Sequence, residues 1–157
     1  MTDSTLLIRL AEDDDDFVLS LVPRLVEFDL PAWRRRHECI AGIRDDLHRH
    51  LEDQPANNFL FVAEAADGER VGFIELQKTQ DFFTGRTNCH INNVVVVPRH
   101  EGRGVGKALM AHAEDWARGH HCAMVTLAAF PGNQRALALY ASCGYGTDLV
   151  RLVKPVR

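Results

Sequence analysis

The chain is poor in the residues that mark several classes of protein. Its four cysteines, Cys39, Cys89, Cys122 and Cys143, include no Cys-x-x-Cys pair. That spacing excludes a zinc ribbon and a thioredoxin-type redox motif. In a reducing compartment the four are expected to be free thiols. The eight histidines are scattered apart from the doublet His120-His121, so no metal is expected. No stretch approaches the roughly 20 apolar residues of a membrane span. The N-terminus, Met1-Thr2-Asp3-Ser4, lacks the basic region and apolar core of a secretion signal. A cytoplasmic location with no membrane partner is the expectation. Positive charge is not in excess either. A formal net charge of −4 is not the footprint of a nucleic-acid-binding protein. Repeats, low-complexity tracts and linkers are missing, and 157 residues with 46% hydrophobic and 25% charged content suit one domain over 1–157.

What is present alternates between strand and helix patterns. Leu6 to Leu10 reads as a strand. Asp13 to Phe28 reads as a helix with Phe17, Val18, Leu21, Val22, Leu25 and Val26 on one face and a kink at Pro23. The acidic run Glu12 to Asp16 reads as a solvated helix start, the alternative being a patch that attracts cationic substrates. Pro31 is expected to open a second helix with a stripe of Ile40, Ile43, Leu47 and Leu51. Phe59 to Ala65 and Arg70 to Lys78 form a hairpin around Asp67-Gly68. Cys89 to Val97 is a strand ending in four valines, which reads as buried on both faces near the sheet centre and is stopped by Pro98. Gly104 to Arg118 is a helix, Met124 to Phe130 a strand, Asn133 to Cys143 a short helix and Leu149 to Lys154 a final strand. The order implies a mixed α/β sheet with helices on both faces.

The segment from Val97 to Lys107 joins a strand to an amphipathic helix through Glu101-Gly102-Arg103-Gly104-Val105-Gly106. Such a turn makes an anion site, because glycine admits close backbone approach and the first helical N–H groups have no internal partner. A Walker loop fails here: Glu101 stands where its first glycine belongs and Ala108 where Ser or Thr belongs. The dinucleotide fingerprint fails too, since Lys107 holds the place of its third glycine. A connection with no ligand remains the plain alternative for the turn alone.

A second motif follows: Asn133, Ala136, Leu139-Tyr140 and Gly144-Tyr145. With the turn at this order and separation, the chain resembles the GCN5-related N-acetyltransferase (GNAT) superfamily over nearly its whole length. One departure stands in the loop, where Glu101 replaces the usual Gln or Arg. Its carboxylate must point away from a pyrophosphate or be neutralised, Arg99 and Arg103 being the nearest cations in sequence.

The resemblance implies a mostly antiparallel mixed sheet of six to seven strands with about four helices on both faces. It also implies binding of acetyl-CoA in a gap between the fourth and fifth strands. The backbone of Val94, Val95 and Val96 would hold the pantetheine arm. The N–H groups of Gly102, Arg103, Gly104, Val105, Gly106 and Lys107 would hold the pyrophosphate, and Asn133 would reach the arm from the other side. Tyr140 would be the general acid to the departing thiolate, and a backbone N–H near Val95 would polarise the thioester carbonyl.

Transfer to an amine also needs a base. The positions where relatives carry an acid are Asn92 and Ala128 here, so His90 on the fourth strand and Glu75 on the third become the candidates, a water relay being the alternative. Period-two alternation puts His90 and Asn92 on one face. Phe28, Trp33, Phe82 and Phe83, with Asp29, are candidate acceptor contacts, though the aromatics would also serve a core or a homodimer contact. The expected activity is acetyl transfer to an amine of a small molecule or peptide in a ternary complex. The rival expectation is a non-catalytic acyl-CoA sensor or assembly module.

Overall fold

Proline and β-branched residues decide where this chain turns. The computed structural model describes residues 5–157. Strand β1, Leu7–Leu10, leads into helix α1, Asp15–Ser20. Pro23 cannot donate to a helical ladder, and the chain tightens from Val22 to Val26 into a 3₁₀ turn instead of continuing as one kinked helix to Phe28. The apolar spacing still works, because Val18, Val22 and Val26 are all fully buried. Helix α2, Arg36–Asp53, begins five residues beyond Pro31, which closes a turn by accepting from Arg34 N at 2.9 Å. Then follow β2 (Asn58–Glu64), β3 (Arg70–Gln80), β4 (Thr87–Val96), α3 (Val105–Gly119), β5 (Val125–Leu127) and α4 (Gln134–Ser142).

The five strands form one sheet in chain order, antiparallel from β1 to β4, with β5 parallel to β4. Among the described residues five strands, not six to seven, make the sheet. Leu149 to Lys154 is irregular and unpaired, with Leu149, Val150 and Leu152 exposed at 73%, 74% and 89%. Strand propensity needs a neighbouring edge and a covered face to be realised, and this segment has neither. One face of the sheet packs Leu60, Val62, Phe73 and Val95 against Val18, Val22 and Leu47 of the α1–α2 layer. The other packs Ile74, Leu76, Cys89 and Ile91 against Val105, Leu109, Met110 and Ala113 of α3. Among the described residues no helix is long and apolar enough to cross a membrane.

The acidic run is not wholly solvated. Asp14 is 2% exposed and lies between Arg9 at 2.7 Å and Arg70 at 3.1 Å. Hydrogen bonding from Arg9, more than any other influence, holds its carboxyl down at about 2.

Two irregularities in β4 shape the site. Its register against β3 passes from Leu76↔Ile91 directly to Glu75↔Asn93, leaving Asn92 as the extra residue of a bulge. The bulge reverses the side-chain alternation beyond it. Val94 and Val96 pack toward α3, while Val95 joins the α1–α2 layer. Furthermore, β4 pairs with β5 only at Cys89↔Val125, His90↔Thr126 and Ile91↔Leu127. Beyond Ile91 the two strands separate, so the valine run is not covered on both sides. Val95 is buried, and Val94, Val96 and Val97 are half-buried.

Candidate active site

The separation of β4 from β5 frees backbone groups that a closed sheet would consume. Val97 N donates to Val71 O at 2.8 Å across the β3–β4 pair. Antiparallel alternation then turns the N–H and C=O of Val95 and Asn93 toward β3, and those of Val94 and Val96 into the gap. Arg24 Nε donates to Val96 O at 2.7 Å, as expected for a carbonyl outside the ladder. The N–H groups available to a ligand in the gap therefore belong to Val94 and Val96, and that of Val95 faces β3.

The gap opens into a groove of about 810 Å³ lined by Val94 to Val96, Phe28, Glu101, Gly102, Gly104 to Lys107, Asn133 and Tyr140. At one end sits the glycine turn. Gly102 and Gly104 have φ of +73° and +84°, values that L side chains rarely adopt. Gly104 is the N-cap of α3, and the first helical bond runs from Ala108 N to Gly104 O at 3.0 Å. The N–H groups of Val105, Gly106 and Lys107 thus lack helical partners and carry the positive end of the helix dipole. Val105 contributes backbone alone, as its side chain is buried in the core. A Cβ at Gly106 would stand 3.1 Å from Leu139 Cδ2 on α4, which that side chain could relieve only by shifting a few tenths of an ångström. Arg103 is exposed and does not line the groove.

Glu101 is neutralised, but not by its sequence neighbours. Arg24, from the 3₁₀ turn, pairs with Oε1, and Arg135, from the first turn of α4, pairs with Oε2. Arg99 instead pairs with Glu69. Arg135 falls within the Asn133–Ala136 motif and was visible there, whereas Arg24 reaches Glu101 only through the tertiary fold.

Opposite the turn, Asn133 caps α4, its Oδ1 accepting from Ala136 N at 3.4 Å. The Nδ2 group is left to face the groove that Asn133 lines. Tyr140 lies farther along α4. Its ring packs edge-on to Tyr145 at 6.3 Å, and its hydroxyl bonds to none of the described residues. Burial raises its pKa, so the phenol is protonated at neutral pH.

Neither candidate base lines the groove, and the two differ in burial. His90 is half-buried where β4 and β5 begin to part, its Nδ1 2.8 Å from Thr126 Oγ1. In the tautomer whose Nδ1–H donates to Thr126, the Nε2 lone pair is free. Burial lowers its pKa and keeps the ring neutral at physiological pH. Asn92 bonds Gln77, the cross-strand partner of His90, at 2.9 Å.

Glu75 is fully buried on the α2 side and does not line the groove. Its carboxylate accepts from Asn93 at 2.8 Å and Asn58 at 3.0 Å, and meets His50 Nδ1 at 2.5 Å. The Asn93 bond pins the bulge. Asp46 stands 3.7 Å from the other ring nitrogen of His50. The two carboxylates thus face opposite nitrogens of one ring, and Asp46, His50 and Glu75 bring one candidate ligand atom each within 4.8 Å of one another. His50, Asn58 and Asn93 carry no sequence signal, because they meet at Glu75 from three separate elements, α2, β2 and β4.

Of the four acceptor-side aromatics only Phe28 lines the groove, with Phe130 at 6.0 Å between ring centroids. Trp33 is 48% exposed outside it. Phe82 and Phe83 pack edge to face at 5.2 Å between ring centroids at the β3–β4 tip, 91% and 73% exposed. That tip is held by Asp81, which accepts from Phe83 N and Thr84 N at 3.1 and 2.9 Å and so turns both rings outward.

The chain is similar to known proteins in sequence and in fold. An aminoglycoside N(6′)-acetyltransferase type 1 of Stenotrophomonas maltophilia is 32% identical over 124 residues, 74% of this chain and 80% of that protein. The structure of AAC(6′)-Iy in complex with the bisubstrate analogue CoA-S-monomethyl-acetylneamine superposes with a TM-score of 0.69 at 19% identity, covering 98% of this chain and 99% of that one. Glucosamine-6-phosphate N-acetyltransferase from Arabidopsis thaliana gives a TM-score of 0.66 at 20% identity, covering 98% and 100%. These two share the fold. The model of the Acetyltransferase (GNAT) family matches residues 23–145. The chain belongs to the acetyltransferase (GNAT) family of enzymes.

Proposed function

We propose that this enzyme binds acetyl-CoA in the β4–β5 gap and transfers the acetyl group directly to an amine of a small molecule. The observation that carries the reading is the pair of gap-facing backbone groups at Val94 and Val96, leading to the partnerless N–H groups at the start of α3. A pantetheine arm is an amide chain, and it would pair with this open edge as a strand does. The diphosphate would sit on the turn.

In the transfer, the neutral amine attacks the thioester carbonyl carbon and the carbonyl electrons move onto oxygen. Val94 N–H donates to that oxyanion, where a fixed dipole is worth more than water. The carbon–sulfur bond breaks as the intermediate collapses, and Tyr140 gives its proton to the leaving thiolate. The proton lost by the amine goes to His90 Nε2 through a water. Cys89 takes no part as a nucleophile: it is fully buried and burial pushes its thiol up to about 12. This supports a single transfer without an acetylated enzyme.

The relatives named for aminoglycosides and streptothricin act on small molecules bearing amines. Glu27 lines the groove beside Phe28, a setting for a cationic acceptor with some apolar surface. The rival reading, a non-catalytic acyl-CoA module, draws on the burial of Glu75 away from the groove, but the free hydroxyl of Tyr140 speaks for catalysis. Thiol release from acetyl-CoA, measured with a panel of small polyamines, aminoglycosides and peptides, separates them. Turnover on small-molecule amines is expected. Tight acetyl-CoA binding with no turnover on any amine would establish the sensor instead.

A further inference from the structure

The groove contains an anion of its own. Glu101 stands immediately before Gly102, and its two carboxylate oxygens engage two different arginines: Arg24 on Oε1 and Arg135 on Oε2. These arginines come from opposite walls, one from the 3₁₀ turn ahead of α2 and the other from the first turn of α4, and all three residues line the groove. Arg24 is fixed independently. Its Nε donates to Val96 O at 2.7 Å, and its Nη1 meets Glu27 at 3.1 Å. Its side chain is 16% exposed, so its guanidinium keeps its place if Glu101 moves. Arg135 is 74% exposed and free to follow a ligand.

We propose that Glu101 is an internal substitute for the cofactor's diphosphate, bridging Arg24 and Arg135 in the free enzyme and yielding both guanidinium groups to the phosphates on binding. The inference rests on the acetyl-CoA reading above. Its chemistry is that of ion exchange. A carboxylate and a phosphate oxygen present the same acceptor geometry to a guanidinium, but the diphosphate carries more charge and accepts from the turn's N–H groups as well. If Glu101 stayed in place, its charge would oppose the ligand. Once displaced, it leaves two arginines for the incoming phosphates. Glu101 therefore holds the empty groove together across its two walls and weakens cofactor binding by competition, easing release of spent coenzyme. This assigns Arg24 and Arg135 as phosphate ligands, and it gives the residue that departs from the family's usual Gln or Arg a definite role.

The test is calorimetric titration of Glu101→Gln and the unsubstituted enzyme with coenzyme A, and with pantetheine, which lacks phosphates. Removing the competitor is expected to tighten coenzyme A binding roughly fivefold, the scale of a partly exposed ion pair, and to leave pantetheine affinity unchanged. Arg135→Ala should weaken coenzyme A binding more in the Glu101→Gln background than alone, because there the arginine is no longer occupied. Circular dichroism and melting temperature verify that each variant is folded. Unchanged or weaker coenzyme A binding by folded Glu101→Gln would overturn the proposal and make Glu101 a scaffold of the turn. Equal tightening toward pantetheine would overturn it as well, since the effect would not involve phosphate. If the unsubstituted enzyme bound no coenzyme A, the acetyl-CoA reading itself would fall, an outcome distinct from both.

Discussion

Replacing Tyr140 by Phe removes one oxygen and leaves the ring. In the folded enzyme that oxygen bonds to none of the described residues, and the ring keeps its edge-on contact with Tyr145. No intramolecular hydrogen bond is lost, so stability should change by less than about 0.5 kcal/mol, the range of substitutions that break no specific contact. Acetyl-CoA affinity should hold within about twofold, because the proton is needed only when the carbon–sulfur bond breaks. The rate is another matter. A positioned general acid contributes about 10²–10⁴, which at 1.36 kcal/mol per decade corresponds to roughly 2.7–5.4 kcal/mol of transition-state stabilisation. The assay is thiol release at saturating acetyl-CoA and amine, beside equilibrium binding of acetyl-CoA. A fall in kcat of a hundredfold or more at constant affinity is expected. A loss below about threefold would refute the role, with water protonating the thiolate. Loss of affinity in step with rate would show that the hydroxyl merely binds the sulfur.

Two further substitutions test other parts of the account. His90→Ala should lower turnover at neutral pH. It should also remove an acid limb from the rate profile lying below pH 6.5, because burial lowers the histidine's pKa and only the neutral ring accepts a proton; a high-pKa amine is needed to expose the limb, and an unchanged profile would exclude His90 as the base. Asp14→Asn should destabilise the fold by about 2.5 kcal/mol at neutral pH, the equivalent of a carboxyl held at about 2 against an ordinary 3.8. The folded pKa is depressed, so this contribution is whole above the ordinary value and is lost as pH falls through about 2; denaturant midpoints of the two proteins should converge in acid, and a constant difference would contradict the ion-pair account.

The sequence made the glycine turn and α3 legible because both follow from local rules. Val105, Leu109 and Ala113 recur at helical spacing and are buried as that spacing requires, and Pro98 ends the preceding strand. The family resemblance implied positions for Tyr140 and Asn133 beside the cofactor arm, and both line the groove. What escaped was non-local. A bulge has no residue signature, so nothing along the strand announced the change of phase at Asn92 or the Asn93–Glu75 bond. The cations on Glu101 were sought among its neighbours, yet tertiary folding brings Arg24 to it from far up the chain. Leu149 to Lys154 has the composition of a strand but stays unpaired and exposed. Phe82 and Phe83 looked suited to a substrate, but the Asp81 turn projects them away from the groove.

The central claim is that the cofactor completes the sheet at the open edge of β4. Residue-resolved amide hydrogen exchange by NMR, with and without coenzyme A, reads this directly. The N–H groups of Val94 and Val96 face the gap, those of Val105 to Lys107 face the turn, and that of Val95 is already engaged with β3. Coenzyme A should slow exchange at Val94, Val96 and the three turn amides and leave Val95 as it was. Protection confined to other residues, or none at Val94 and Val96 under saturating coenzyme A, would contradict the account.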